Sequence, residues 1–196
     1  SANWRIDSLE KKARELTPRP AFTTSTIQQA AWQKLRFTAK RTMVIAQQLY
    51  EGVELKKEGG AVGLITYMRT DSFNIAESAL RAAADYLKSS LGAKYASSFP
   101  RRFKTRAKGA QEAHEAIRPT DPKRTPESIK SELSYDQFKL YKLIWERFIA
   151  SQMPNAIFED TIINILAESQ SGKKYLFESR GSVIKFDGFL KIYPAK

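Results

Sequence analysis

The feature that most restricts the fold is a change of hydrophobic period near Pro154. Between residues 23 and 153 apolar side chains recur three and four apart, the spacing of helices buried along one stripe. From Ala156 onward the period drops to two, in AIFEDTIINILAE, KYLFESR and SVIKFDGFLKIY, with a Ser171-Gly172 turn after the first stretch. The two periods demand different layers, so the chain is α+β. The first 22 residues, SANWRIDSLEKKARELTPRPAF, begin extended and end at Pro18 and Pro20, which mark a connection. Being strand-like, they can belong with the C-terminal β unit. The helical part, 23–153, is then an insertion between β segments 1–22 and 154–196.

Within the helical part, Ser25 with Gln28 has capping-box spacing, and Ile27, Ala30, Ala31 and Leu35 follow at helical intervals. Thr38 can cap a second helix through Tyr50, with Met43, Ala46 and Tyr50 on one stripe and Gly52 as the stop. Two helices joined by a short break suggest a helix-turn-helix arrangement. AVGLITYM, 61–68, reads as a strand after Gly59 and Gly60. Asn74 with Glu77 opens a helix to about Leu91, with Leu80, Ala84, Leu87 and Leu91 inward. Thr125-Pro126-Glu127 is a helix start, and Ser134 with Gln137 begins the longest helix, with Phe138, Tyr141, Trp145 and Phe148 inward.

Net charge then narrows the partner. The chain carries 33 Lys and Arg against 21 Asp and Glu, a formal charge of +12, which favours a polyanion, nucleic acid before an acidic membrane surface. No apolar run approaches the roughly 20 residues that span a bilayer. The absence of cysteine excludes disulfides, thiol nucleophiles and cysteine-held zinc. Residues 93–111 contain no acid but carry Lys94, Arg101, Arg102, Lys104, Arg106 and Lys108, with Phe103 available to stack on a base. Lys40 and Arg41, in TAKR, are further phosphate-contact candidates.

GLITYMRTDS, 63–72, carries the chemistry. In extended chain Tyr67 and Arg69 leave the same face, about 6.5–7 Å apart along the backbone, so both reach one phosphate. A phenol, ordinarily ionising near about 10, needs help to act as a nucleophile. A neighbouring guanidinium favours the phenolate and stabilises the extra charge on a phosphorus under attack. A strand tyrosine is also an ordinary packing residue, and spacing does not separate the two. Asp71 and Ser72 can cap a turn or position Arg69. The one histidine, His114, sits in QEAHEAIRPT with Glu112, Glu115 and Arg118. It can shuttle a proton or donate to a phosphate oxygen, or lie idle at a surface. The spacing of Glu112, His114 and Glu115 matches no strong metal signature. Neither a glycine-rich phosphate loop nor an Asp-x-Asp pair occurs.

Taken together, PAFTTSTIQQAAWQKLRFTAKRTMVIAQQLYEG, GLITYMRTDS, QEAHEAIRPT, LIWERFIASQM and FDGFLKIYPA resemble, in that order, the type IA DNA topoisomerases, most closely the bacterial DNA topoisomerase I branch. The resemblance implies a winged-helix-like helical domain inserted into a partial β domain, the two forming an arch. It implies transient cleavage of single-stranded DNA through a 5′-phosphotyrosine intermediate, with no ATP required, relaxing negative supercoils. Tyr67 is then the nucleophile, Arg69 stabilises the charged phosphorus, and His114 is an auxiliary. Arg69, His114, Arg118, Lys40, Arg41, Arg101, Arg102 and Lys104 are the expected DNA contacts. Magnesium would be bound by a toprim domain that nothing here matches, with none held by this chain. That domain and the gate base of the same protein are the expected partners, in a bacterial cytoplasm at the nucleoid. The chain, opening SANW and ending YPAK, reads as a piece of something longer, nearly or wholly inactive alone. Two other readings stay open: a helix-turn-helix DNA-binding module without chemistry, and an arch that contributes only structure.

Overall fold

The computed structural model describes residues 3–56, 58–103 and 114–194. The chain divides into two units, Ser1–Thr17 with Asn155–Gly188, and Pro18–Pro154 with Phe189–Lys196.

In the first unit, β1 (Asn3–Leu16) pairs antiparallel with β4 (Ala156–Glu168), which pairs antiparallel with β5 (Lys174–Phe186), giving the order β1-β4-β5. The register runs from Asn3 opposite Glu168 to Leu16 opposite Ala156. The β4–β5 hairpin turns through Ser169–Lys173, where Gly172 takes φ +77°, a left-handed backbone that glycine adopts without steric cost. One lateral network crosses the sheet. Arg14 Nε donates to Asp160 Oδ2 at 2.6 Å and Ser182 Oγ donates to Asp160 Oδ1 at 2.6 Å. These two bonds, Arg14's first, hold the Asp160 carboxyl below its ordinary range. β5 is one continuous strand rather than two.

The second unit is built on four helices: α1 (Thr24–Leu35), α2 (Ala39–Glu51), α3 (Glu77–Leu91) and α4 (Tyr135–Ser151). Thr38 caps α2 and Ser134, with Gln137, forms the capping box of α4, where the sequence put them. Two other starts differ. The box of α1 is Thr23 with Thr26, two residues earlier than Ser25 with Gln28. At α3 the boundary residue is Ala76, with no side-chain cap of its own; Glu115 Oε1, far along the chain, accepts the Ala76 N–H instead. Residues 126–132 form a 3₁₀ helix, with Thr125 capping it and Pro126 in its first turn.

The core of this unit includes Phe22, Ile27, Leu49, Leu64, Ile65, Met68, Leu87, Ile117, Leu140, Tyr141 and Phe148. The α2 stripe is rotated from the expected one. Thr42, Ile45, Ala46 and Leu49 face inward, and Tyr50 is 40% exposed. On α3 the inward set is Ala79, Leu80, Ala83 and Leu87.

Two segments assigned from sequence to the β part pack with the helices instead. Ala21 and Phe22 are buried, and Gly188–Lys191 forms a short 3₁₀ helix, not a strand, with Phe189 N donating to Pro154 O at 3.1 Å. The cause is Arg147 of α4, buried among them. Its Nε donates to Pro20 O at 2.7 Å, and its guanidinium lies 4.9 Å from the Phe22 ring centre and 5.2 Å from that of Tyr193. The division therefore falls at Pro18 and Asn155, with residues 189–196 returning to the helical unit.

The expected strand at 61–68 is also shorter. Only β3 (Gly60–Val62) forms a ladder, with β2 (Val53–Leu55). Beyond it the chain stays extended but borrows partners one at a time: Leu64 N donates to Leu49 O at 2.7 Å, Thr66 N to Arg118 O at 2.9 Å, and Thr120 N to Leu64 O at 3.0 Å. Ile65 bridges Pro119, which has no N–H to extend a ladder.

Two substitutions test this packing. Arg147→Ala removes the donor to Pro20 and the cation between two rings, and is expected to lower unfolding free energy by about 2–4 kcal/mol; an unchanged urea midpoint would contradict the docking described. At Gly63 an added Cβ would stand 2.8 Å from the Tyr50 carbonyl oxygen. Gly63→Ala is expected to cost about 1–3 kcal/mol through the forced shift of backbone, read by the same titration.

Candidate nucleic-acid cleavage site

From Thr66 to Ser72 burial alternates strictly. Met68, Thr70 and Ser72 point into the core and Tyr67, Arg69 and Asp71 point out. The outward set follows from period-two geometry, and the buried set from what holds it. Thr66 Oγ1 donates to Ala116 O at 2.7 Å and accepts from Arg118 N at 3.0 Å. Thr24 Oγ1 lies 2.9 Å from Met68 O and accepts from Thr70 N at 2.9 Å. Thr70 Oγ1 accepts Ser72 N, and Ser72 Oγ accepts Asn74 N, each at 3.0 Å. Ser72 thus makes the local turn that the sequence suggested, while Asp71 stays exposed.

Tyr67 is 42% exposed. Its ring meets the edge of Tyr50 at 5.4 Å between centroids and that of His114 at 6.3 Å, both T-shaped. Edge-to-face contacts orient a ring without covering its hydroxyl. Arg69, Asp71 and His114 line one groove of about 570 Å³ with Thr24, Ser25, Gln28 and Thr70. Tyr67, Arg69 and His114 are therefore brought together from two segments far apart in sequence. Residues 114–120 are laid beside the tyrosine by the Thr66 bonds and by Ala116 N donating to Asn74 O at 2.8 Å.

The other expected DNA contacts separate from this site. Arg118 is turned inward. Only 9% exposed, it donates from Nη2 to Glu115 Oε2 at 2.6 Å and from Nη1 to Pro119 O at 3.0 Å. It braces Glu115, which in turn holds the start of α3, and is not displayed to solvent. Arg101 is likewise drawn inward: Nη2 donates to Met153 O at 3.4 Å, and its main chain exchanges bonds with the Gln152 side chain. Arg41 is ion-paired to Asp136 and stacked on Phe37, with 4.6 Å to the ring centre. Arg102 is exposed and paired to Glu77 at 2.5 Å. Lys40 lies at a different groove, with Val44, Gln48 and Ser134. Lys104 lies outside the described residues, as do Arg106 and Lys108. Tyr50 and Thr24 were missed. Tyr50 had been counted toward the α2 core stripe, and Thr24 lies in a run of hydroxyl residues, TTST, with no local sign of a distant partner.

Among the described residues, no three His, Cys, Asp or Glu side chains converge as a metal site. Among the described carboxylates, Asp71 lies exposed in the groove and Glu115 is engaged by Arg118 and Ala76. These residues do not fit a magnesium ion. No helix among the described residues is long and apolar enough to cross a membrane.

Known proteins resemble this chain along nearly its whole length. The sequence matches the DNA topoisomerase family over residues 1–196. DNA topoisomerase 1 of Rickettsia felis is 47% identical over 193 residues, 98% of this chain and 24% of that protein. That of Rickettsia conorii is 48% identical over 193 residues, with the same coverage. Full-length topoisomerase I from Thermotoga maritima superposes with a TM-score of 0.82 at 37% identity, over 98% of this chain and 30% of that one. The chain thus spans about a quarter of the length of the curated relatives it matches. It belongs to the type IA DNA topoisomerases, in the bacterial topoisomerase I branch.

Proposed function

We propose that this chain carries the cleaving tyrosine of a longer topoisomerase that relaxes negatively supercoiled DNA through transient breakage of one strand. The observation that carries the reading is the display of Tyr67 and Arg69 on the open side of a tightly bonded extended segment, with His114 beside them. In the reaction the Tyr67 oxygen bonds to a backbone phosphorus as the bond from phosphorus to O3′ breaks. The phenol gives up a proton, the departing 3′ oxygen gains one, and the 5′-phosphate remains on the tyrosine. Arg69 is placed to balance the extra negative charge at phosphorus, the role in which a fixed cation contributes most. The His114 imidazole faces the same groove, within reach to donate to a phosphate oxygen. Reversal by the 3′-hydroxyl after strand passage restores the phosphodiester, one ester exchanged for another.

Single-stranded DNA is the proposed substrate, because Tyr67 and Tyr50 are exposed aromatic residues of the kind on which unpaired bases stack. No step is routed through a metal on this chain's residues. Any magnesium the enzyme uses is assigned to a toprim domain, which with the gate base completes the enzyme in the bacterial cytoplasm, at the nucleoid. The chain alone is accordingly expected to relax little or no DNA. A binding module without chemistry would share the α1–α2 pair and its three-residue break. It would prefer a particular duplex sequence, whereas the cleavage reading requires preference for single strands.

The test is a 3′-end-labelled single-stranded oligonucleotide incubated with the full-length enzyme bearing this chain, then resolved on a denaturing gel. A labelled, denaturant-resistant adduct is expected, absent in Tyr67→Phe and formed about 10²-fold or more slowly in Arg69→Ala. An undiminished adduct in Tyr67→Phe would overturn the assignment.

A further inference from the structure

Arg69 leaves a backbone with no partner strand, so its direction has to be fixed by something other than a ladder. The groups that do this converge on a single residue. Thr24, the first residue of α1, donates its N–H to Thr70 O at 2.9 Å. Its hydroxyl lies 2.9 Å from Met68 O and 3.0 Å from Thr70 O, and accepts the Thr70 N–H at 2.9 Å. A hydroxyl has one hydrogen to give and lone pairs to receive, so it serves both sides at once. The carbonyl before Arg69 and both main-chain groups of the residue after it are therefore held by one residue, the Thr24 N–H serving Thr70 O and the hydroxyl serving Met68 O and Thr70 N, which leaves little freedom to the backbone torsions that aim Arg69. The Arg69 side chain lines the groove with Asp71 and His114, and its direction follows from this backbone hold.

We propose that Thr24 is a positioning residue for cleavage, acting by fixing the direction in which Arg69, and two residues earlier Tyr67, meet the phosphate. The inference rests on the reading of Tyr67 as nucleophile. Without the hydroxyl, the Thr70 N–H loses its acceptor in a position where Thr70 is only 6% exposed. The segment then rotates to recover a partner. The cost falls on the chemical step, because a charge-stabilising donor displaced by a fraction of its bond length loses most of its effect on a developing charge while still attracting DNA.

The experiment is single-turnover cleavage of the labelled oligonucleotide at saturating DNA by the full-length enzyme bearing this chain. Wild type, Thr24→Val, Thr24→Ser, Tyr67→Phe and Arg69→Ala are compared well below their unfolding midpoints. Thr24→Val keeps the shape and branching of threonine and lacks the hydroxyl. It is expected to slow adduct formation about tenfold or more, with the dissociation constant for DNA changed less than about threefold. Thr24→Ser restores the hydroxyl and is expected to recover most of the rate. If Thr24→Val does not fold, Thr24→Ala removes the same hydroxyl without bulk and carries the same expectation. A wild-type rate in Thr24→Val, with adduct lost in Tyr67→Phe, would overturn this inference alone, as would a Thr24→Ser variant as slow as Thr24→Val. An adduct that survives Tyr67→Phe would instead overturn the reading on which it rests.

Discussion

An extended segment without a sheet has an obvious difficulty: its peptide groups need partners, and water is the default one. Residues 64–72 solve it with a set of single bonds drawn from three places, namely the end of α2, the first residue of α1 and the 116–120 segment, to which the Thr66 hydroxyl adds two more. The alternation of buried and exposed side chains depends on those bonds, and so does everything assigned to the site. Tyr67 stands clear because Met68 and its neighbours are held inward, and His114 arrives beside it because the same bonds capture the chain that follows it. Gly63 is part of this arrangement, since only hydrogen fits where the segment passes the Tyr50 carbonyl.

The distribution of positive charge follows a related logic. A formal charge of +12 suggests a surface ready for a polyanion, yet several of the arginines singled out on that basis are engaged within the protein. Arg118 is almost wholly buried, Arg41 faces Asp136, and Arg101 bonds to the carbonyl of Met153; Arg147, not among the expected contacts, is buried as well. Arginine suits these posts because its planar fork can satisfy carbonyl and carboxylate oxygens while its face lies on a ring. Among the described residues, the candidate DNA contacts that stand beside the tyrosine are Arg69 and His114.

How far the fold could be read from sequence tracked how local each determinant is. The caps at Thr38 and Ser134 were legible because cap and capped group lie three residues apart. The start of α1 was read two residues late, since Thr23, Thr24, Ser25 and Thr26 all offer a hydroxyl and nothing local chooses among them. At α3 the Asn74–Glu77 spacing misled, because the acceptor for Ala76 N comes from Glu115, beyond the reach of any local pattern. The strand expected at 61–68 failed for the same reason, its partners being scattered and one of them a proline. Tyr67 and Arg69 could be paired from spacing alone. Their exposure, Tyr50's turn toward the tyrosine and Thr24's hold on Met68 and Thr70 became visible only in three dimensions. The inward turn of Arg118 was not legible because a motif records that an arginine is present and not whether its guanidinium faces in or out.

The most direct measurement is to identify the residue that carries DNA. The adduct formed by the full-length enzyme would be trapped by denaturation and digested with protease and nuclease, and the modified peptide sequenced by mass spectrometry. The account predicts a nucleotide joined through its 5′-phosphate to Tyr67 and to no other residue. Its attachment to Tyr50, whose exposed ring lies 5.4 Å away, or to any other side chain would contradict it.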